Sequence, residues 1–229
     1  AETPAAYAVV NPNRADETSP HTQLAAVGVV FLFVVALRRK LGSDIDLLSF
    51  LDLVALGTIA DVAPLTGVNR ALVAQGLRAM SQRPKIGIAE LLRLAGVSGT
   101  LKASHMGFIV GPRINAGGRI GQSDLGLELL STDDPEKAAK IAAELDNLNR
   151  ERQQIERSVF DEAVLEAESQ AAQGAKVIAV KGQGWRQGVV GIVASRLVER
   201  FGRPALVASI ENGIATGSGR SIPGVALGP

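Results

Sequence analysis

"AKVIAVKGQGWRQGVVGIVASRLVERFGRPALVASI", residues 175–210, is the stretch that decides the fold. "AKVIAVKG" is a short β-branched run that reads as a buried strand. "QGVVGIVASRLVERFG" has helical periodicity, with Gly202 just past its end. "PALVASI" is a second strand. Strand, helix and strand in this order form a βαβ unit, which implies parallel pairing. A third short strand, "GIATGSGRS", is expected next. The expected class is α/β.

Working back towards the N-terminus, a long helix is expected from Asp133 to about Gln173. Asp133 and Glu136 have capping-box spacing, and Pro135 falls in the first turn. Ile141, Leu145, Leu148, Ile155, Val159 and Ala163 keep a three-or-four spacing, broken only at Arg152. Gly174 ends the helix, which reads as a rigid connector between two compact regions. Upstream, helices are expected over about 22–41, 44–57, 69–81 and 86–95. The first of these is apolar on nearly every side and reads as central to a core. "AYAVVNPN", residues 6–13, reads as a strand stopped by Asn and Pro.

Composition narrows the function classes. The 229 residues are 46% hydrophobic and 21% charged, as in a globular protein. Aromatics make up 3%, too few for a platform of stacking rings, and there is no cysteine, which excludes disulfides and thiolate metal sites. The absence of cysteine also points, weakly, to a cytoplasmic address. The fourteen-residue apolar run from Leu24 to Leu37 is too short to span a bilayer, so no membrane partner is expected. The net charge of +1 conceals an asymmetry: from Ala175 onward seven basic residues face two acidic ones, giving +5. The first 174 residues carry 17 basic and 21 acidic groups, giving −4. A basic second part suits a polyanion.

Three stretches are rich in donors and short of acids. "GPRINAGGRIG", residues 111–121, reads as a glycine-rich loop in which Arg113 and Arg119 offer planar forks and Asn115 a donor and an acceptor. It reads equally well as a connector whose arginines pair with acids elsewhere. "GQGWRQG", residues 182–188, lies close to a dinucleotide fingerprint, with one residue too many in the second gap and bulky Trp185 and Arg186 inside. The helix after Gly188 offers free amides to a phosphate. "GSGRS", residues 217–221, adds two hydroxyls and Arg220 in what reads as a third loop. Asp61, enclosed by apolar neighbours in "TIADVAPL", is by spacing alone a helix cap or ion-pair partner. His21 and His105 form no ligand spacing with it. From the residues alone, the reading stops at a phosphate-binding α/β protein.

At this point a resemblance becomes specific. "LDLVALGTIADVAPL", "GPRINAGGRIG", "LLSTDDPEKA", "ELDNLNRERQQIE", "GWRQGVVGIVASRLVERFGRPA" and "GSGRSIPG" occur in the order found in the RecJ-type single-strand-specific exonucleases of the DHH phosphoesterase superfamily. The likeness runs from about Ala6 to the last residue. It implies metal-dependent 5′→3′ hydrolysis of single-stranded DNA in recombination and repair, with Mn2+ or Mg2+ in a two-metal site. By the same analogy, single-strand-binding protein and a helicase are implied partners.

The resemblance divides the chain into 1–130, the C-terminal part of a DHH domain with parallel sheet and helices; 131–174, the connector helix; and 175–229, the N-terminal part of a DHHA1 domain. It makes Asp61 a metal ligand and catalytic residue. It assigns phosphate or nucleic-acid contacts to Arg113, Asn115, Arg119, Gln187, Gly188, Ser218 and Arg220. Gly117 departs from the family, where alanine is common. The Asp-His-His triplet, the paired aspartates of the first motif and the glycine-glycine-histidine segment of DHHA1 are missing. The chain is therefore expected to be an inner section, inactive by itself. The alternatives are a superfamily phosphodiesterase acting on short oligonucleotides or cyclic dinucleotides, and a non-catalytic single-strand-binding scaffold.

Overall fold

The structure, a computed structural model, describes residues 4–227. It is α/β and separates into two compact units. The first comprises Ala1–Ile114 with Leu127–Ala143, and the second Asn115–Gly126 with Glu144–Pro229.

Among the described residues the first unit is wholly helical. It contains α1 (Ala26–Leu41), α2 (Leu51–Ala60), α3 (Gly67–Gln82), α4 (Ile86–Leu94), α5 (Ala103–His105), the start of α6 (Gly111–Ile120), α7 (Leu125–Ser131, mostly here) and the first turns of α8 (Pro135–Ala172). A 3₁₀ turn, Leu47–Phe50, leads into α2, and Asp46 caps it by accepting from the Leu48 amide at 3.0 Å. Helices α2 and α3 cross closely because Gly76 has no side chain. A Cβ there would lie 2.5 Å from Ala55 Cβ and closer still to the Leu51 carbonyl.

Three expectations fail in this unit, the first being the parallel sheet expected within 1–130, where no described residue forms a strand. Residues 6–13 form no strand, since no other strand of the unit's described residues can satisfy their backbone groups. Helix α1 is not central to a core. Only Gly28 is buried in it, while Val30, Phe33 and Leu41 are 55–68% exposed. Its apolar faces exceed what the described residues of this unit cover. No described helix is long and apolar enough to cross a membrane.

Asp52, in the first turn of α2, is 4% exposed. Burial pushes its carboxyl above the usual range, against the opposing hydrogen bond from the Leu53 amide and the charge of Lys85. The folded state thus holds this proton more tightly than the unfolded state. Stability falls as pH rises from the ordinary carboxylate value to the raised folded one, and the cost persists above it. Asp52→Asn keeps an acceptor for Leu53 and removes the charge. Its melting temperature is expected to exceed wild type at pH 7, with the gap closing as pH falls below about 4. A variant less stable than wild type at pH 7 would refute this.

The second unit is built on a three-stranded mixed sheet, β1 (Ile178–Gln183), β2 (Ala205–Glu211) and β3 (Ile214–Arg220), in that order. β1 and β2 are parallel, joined through α9 (Gln187–Phe201), as the βαβ pattern requires. Gly202 ends α9 in the left-handed conformation, φ 60°. β2 and β3 form an antiparallel hairpin. Its turn residues Asn212 and Gly213 both have positive φ, 50° and 78°, matching the twist of the flanking strands.

The third strand expected over "GIATGSGRS" is present, so "GSGRS" is strand and not loop: Ser218 and Arg220 lie on β3. β1 is also not buried on both faces, because its residues alternate between buried and exposed. Ile178, Val180, Ala205 and Val207 face a core shared with Val189, Val193 and Leu197 of α9 and with Val159, Phe160 and Ala163 of α8. The Gln170 side chain both donates to the Ala179 carbonyl and accepts from its amide, at 2.7 and 2.9 Å, which satisfies part of the sheet edge. Helix α8 is capped by Asp134, one residue later than expected, through the Glu136 and Lys137 amides.

Candidate nucleic-acid interface

"GPRINAGGRIG" is helical, not a loop. A π-helical turn, Met106–Val110, runs directly into α6. Three of its four glycines, Gly111, Gly117 and Gly121, are contact points. A Cβ on Gly111 would lie 3.2 Å from Ala60 Cβ, so the first turn of α6 closes on the last turn of α2. In the second unit, a Cβ on Gly117 would lie 3.3 Å from Leu145 Cδ2, and one on Gly121 2.7 Å from Leu148 Cδ1. Those leucines belong to the apolar stripe of α8.

Arg119, in the last turn of α6, donates to the Gly188 carbonyl at 2.9 Å. A Cβ on Gly188 would lie 3.0 Å from the Arg119 carbonyl carbon and closer still to its oxygen. The N-terminus of α9 therefore rests on the backbone of α6. Arg186, the residue preceding α9, makes no side-chain cap, and the amides of the first turn are oriented as for an anion. Gln187 is exposed beside them.

One turn along α9, a Cβ on Gly191 would lie 3.1 Å from Arg220 Nη2 and 3.2 Å from Ser218 Oγ. Arg220 donates to Ser218 Oγ at 2.7 Å and to the Gly219 carbonyl at 2.8 Å. The second unit thus gathers Arg119, Gln187, Gly188, Ser218 and Arg220 around the first turns of α9.

The electrostatics agree with an anion site. The Arg119 guanidinium is held below its ordinary value, first by burial and then by the charge of Arg152, with Arg220 adding to the effect and Glu156 opposing it. Arg119, Arg152 and Arg220 repel one another and Glu156 offsets only part of that repulsion, so the arrangement favours a negatively charged ligand.

Arg152 and Glu156 were not singled out as site residues by the motifs. The signal for Arg152 was its place in the apolar stripe of α8, where an arginine is out of pattern. Asn115 is exposed on α6. The dinucleotide reading of "GQGWRQG" loses its space, because the Trp185 indole lies over Gly182 and donates to Glu162 at 2.9 Å.

Asp61 and Arg113 lie in the first unit. Asp61 follows the last turn of α2 with its side chain exposed. A carboxylate at the negative end of a helix dipole is unfavourable, so Asp61 does not stabilise α2 as a cap. A hard cation would reverse that penalty. Val62 follows with φ 57°, a strained conformation for a β-branched residue. Arg113 donates to the Ile109 carbonyl at 2.9 Å. No three His, Asp or Glu side chains among the described residues are grouped to hold a metal, so Asp61 is one donor and not a complete centre.

The chain is 42% identical to the single-stranded-DNA-specific exonuclease RecJ of Bacillus subtilis, over 99% of its own length and 28% of that protein. The chain is similar to RecJ over nearly its whole length. It is 43% identical to the RecJ of Escherichia coli, covering 97% of the chain and 41% of that protein. Among solved structures it matches Thermus thermophilus RecJ in complex with Mg2+, with a TM-score of 0.80 and 36% identity over 94% of this chain and 32% of that one. It also matches an exonuclease RecJ bound to manganese, with a TM-score of 0.74 and 38% identity over 87% of this chain and 49% of that one. The chain spans less than half the length of these RecJ relatives. No protein-family model matches it.

Proposed function

We propose that this chain forms the inner part of a metal-dependent exonuclease that degrades single-stranded DNA from its 5′ end in recombination and repair. The carrying observation is the set of arginines around the first turns of α9, in a chain similar to RecJ over nearly its whole length. Arg119 and Arg220 hold phosphate oxygens through forked, charge-assisted hydrogen bonds, Ser218 adds a hydroxyl, and the amides at Gln187 and Gly188 add the field of the helix terminus. Asn115, exposed on the same helix as Arg119, adds a donor and an acceptor, and Arg113 is a separate nucleic-acid contact in the first unit. Such contacts position a strand without reading its bases, which suits a nuclease indifferent to sequence.

Asp61 contributes one oxygen ligand to a Mn2+ or Mg2+ centre, the hard cations for which a carboxylate is suited. Such a centre supplies activated water and neutralises charge on the attacked phosphate. The divisions 1–130, 131–174 and 175–229 follow the same family reading. So do a cytoplasmic location and work beside single-strand-binding protein and a helicase.

The test is binding without hydrolysis, in chelator, using anisotropy of 5′-phosphorylated and 5′-hydroxyl oligonucleotides at several salt concentrations. Arg119→Ala and Arg220→Ala should each weaken binding almost equally for all sequences. Each should also reduce the log–log salt slope by roughly 0.7. Arg220→Ala should in addition erase any preference for the 5′-phosphate. Unchanged slopes with lowered melting temperatures would make these arginines internal ion-pair partners and overturn the phosphate site.

A further inference from the structure

The last turns of α6 rest on Leu145 and Leu148 of α8, and the next residue along that stripe is Arg152. Arg152 is 9% exposed and is held on two sides, donating to Glu156 at 2.7 Å and to Asn149 at 3.1 Å. Its Nε is buried without a hydrogen-bond partner. Glu156 is shared: Arg196 of α9 donates to its other oxygen at 3.3 Å and stacks over Phe160, 3.8 Å from the ring centroid. One carboxylate therefore answers two guanidiniums, next to an interface that already carries Arg119 and Arg220.

A buried ion pair kept only for stability is a poor device, since an apolar pair of equal volume serves as well or better. An arginine in the middle of an apolar stripe, with a donor left over and a shared counter-ion, calls for a different explanation.

We propose that Arg152 is a further residue of the anion site, supplying positive charge from the face of α8 on which the end of α6 packs, and that Glu156 is the acid that sets how strongly the site attracts a phosphate monoester. This deepens the reading of Arg119, Ser218 and Arg220 as a phosphate site and rests on it. Arg152 raises the potential at the site, while Glu156 holds the arginine in place and offsets part of its charge.

The two residues should therefore act in opposite directions on binding and in the same direction on stability. The probe is a 5′-phosphorylated oligodeoxythymidylate with a 3′ fluorophore, in chelator, with inorganic phosphate as competitor. Arg152→Gln should weaken binding by about tenfold, the scale of one lost charge-assisted interaction. Glu156→Gln should lower the melting temperature yet tighten binding by about fivefold, as expected for removing a negative charge near a phosphate in a part-buried site. Arg152→Lys, which keeps the charge, should recover most of the affinity.

A merely structural network gives a different pattern, in which Glu156→Gln loses stability and affinity together. That result, or an Arg152→Gln affinity within twofold of wild type, would overturn the inference. Arg220→Ala separates the two levels. If it binds like wild type, the phosphate site itself fails; if it weakens binding while Glu156→Gln does not tighten it, only the role of Arg152 and Glu156 fails.

Discussion

Gly188→Ala is expected to destabilise the second unit by about 2–3 kcal/mol, the upper range for overpacking a close contact, and to weaken phosphate-strand binding by at least about tenfold. The added methyl would meet the Arg119 main chain, a rigid obstacle, so α9 or α6 must move. Moving either separates the α9 amides from Arg119 and Arg220. Two other glycines calibrate the effect. At Gly191 the methyl would meet the ends of the Arg220 and Ser218 side chains, which can swing aside. Gly191→Ala should therefore cost less stability and act mainly on binding. At Gly118 no atom lies within 4 Å, so alanine should stabilise the α6 interior by about 0.5–1 kcal/mol. Denaturant unfolding and anisotropy of the three variants check the series. A Gly188→Ala protein with wild-type stability and affinity would show that α6 and α9 do not meet as described.

The same contacts explain what was legible in the sequence. The βαβ unit and the end of α8 were legible because their signals are local. The β-branched runs of β1 and β2, Gly202 in the left-handed region and Gly174 with φ 80° each act within a few residues. "GPRINAGGRIG" reads as a loop in sequence because each glycine lowers intrinsic helix propensity by about 1 kcal/mol relative to alanine. Gly111, Gly117 and Gly121 serve close approach instead, against Ala60, Leu145 and Leu148. No single-chain periodicity can reveal that. For "GSGRS" the strand reading holds and the loop reading does not, since the backbone of β2 crowds Gly217 and favours glycine in a strand there. A Cβ at Gly217 would lie 2.6 Å from the Val207 carbonyl. The Asn212-Gly213 pair was the available hairpin signal.

Of the candidate site, the residue types were legible but not their grouping. Three donor-rich stretches stood out, yet only the packing of Gly188 on Arg119 and of Gly191 on Arg220 and Ser218 brings residues from all three together. Arg152 was visible as a flaw in the stripe of α8. Its meaning depends on Glu156, Asn149 and Arg196, and Arg196 lies 40 residues from Glu156 in sequence.

Asp61→Ala, in the full-length protein that contains this chain, should abolish hydrolysis, a loss of about 10³-fold or more. A metal ligand contributes several kcal/mol to stabilising the transition state, and each 1.36 kcal/mol is about tenfold in rate. The same substitution should leave the melting temperature unchanged or slightly higher. Asp61 is exposed, and its carboxylate lies at the C-terminal end of α2, where its charge opposes the helix dipole. Removing that charge should return about 0.3–1 kcal/mol rather than cost stability. The strained Val62 beside it fits the same view, because a β-branched residue with φ 57° is not what local stability would select. Binding of the 5′-phosphorylated strand in chelator should be nearly unaffected, since Asp61 is not among the residues gathered around α9. The measurement is nuclease activity across a manganese titration, with a thermal melt and the anisotropy assay alongside. Wild-type turnover with a lowered melting temperature would make Asp61 a structural residue and remove it from the metal centre.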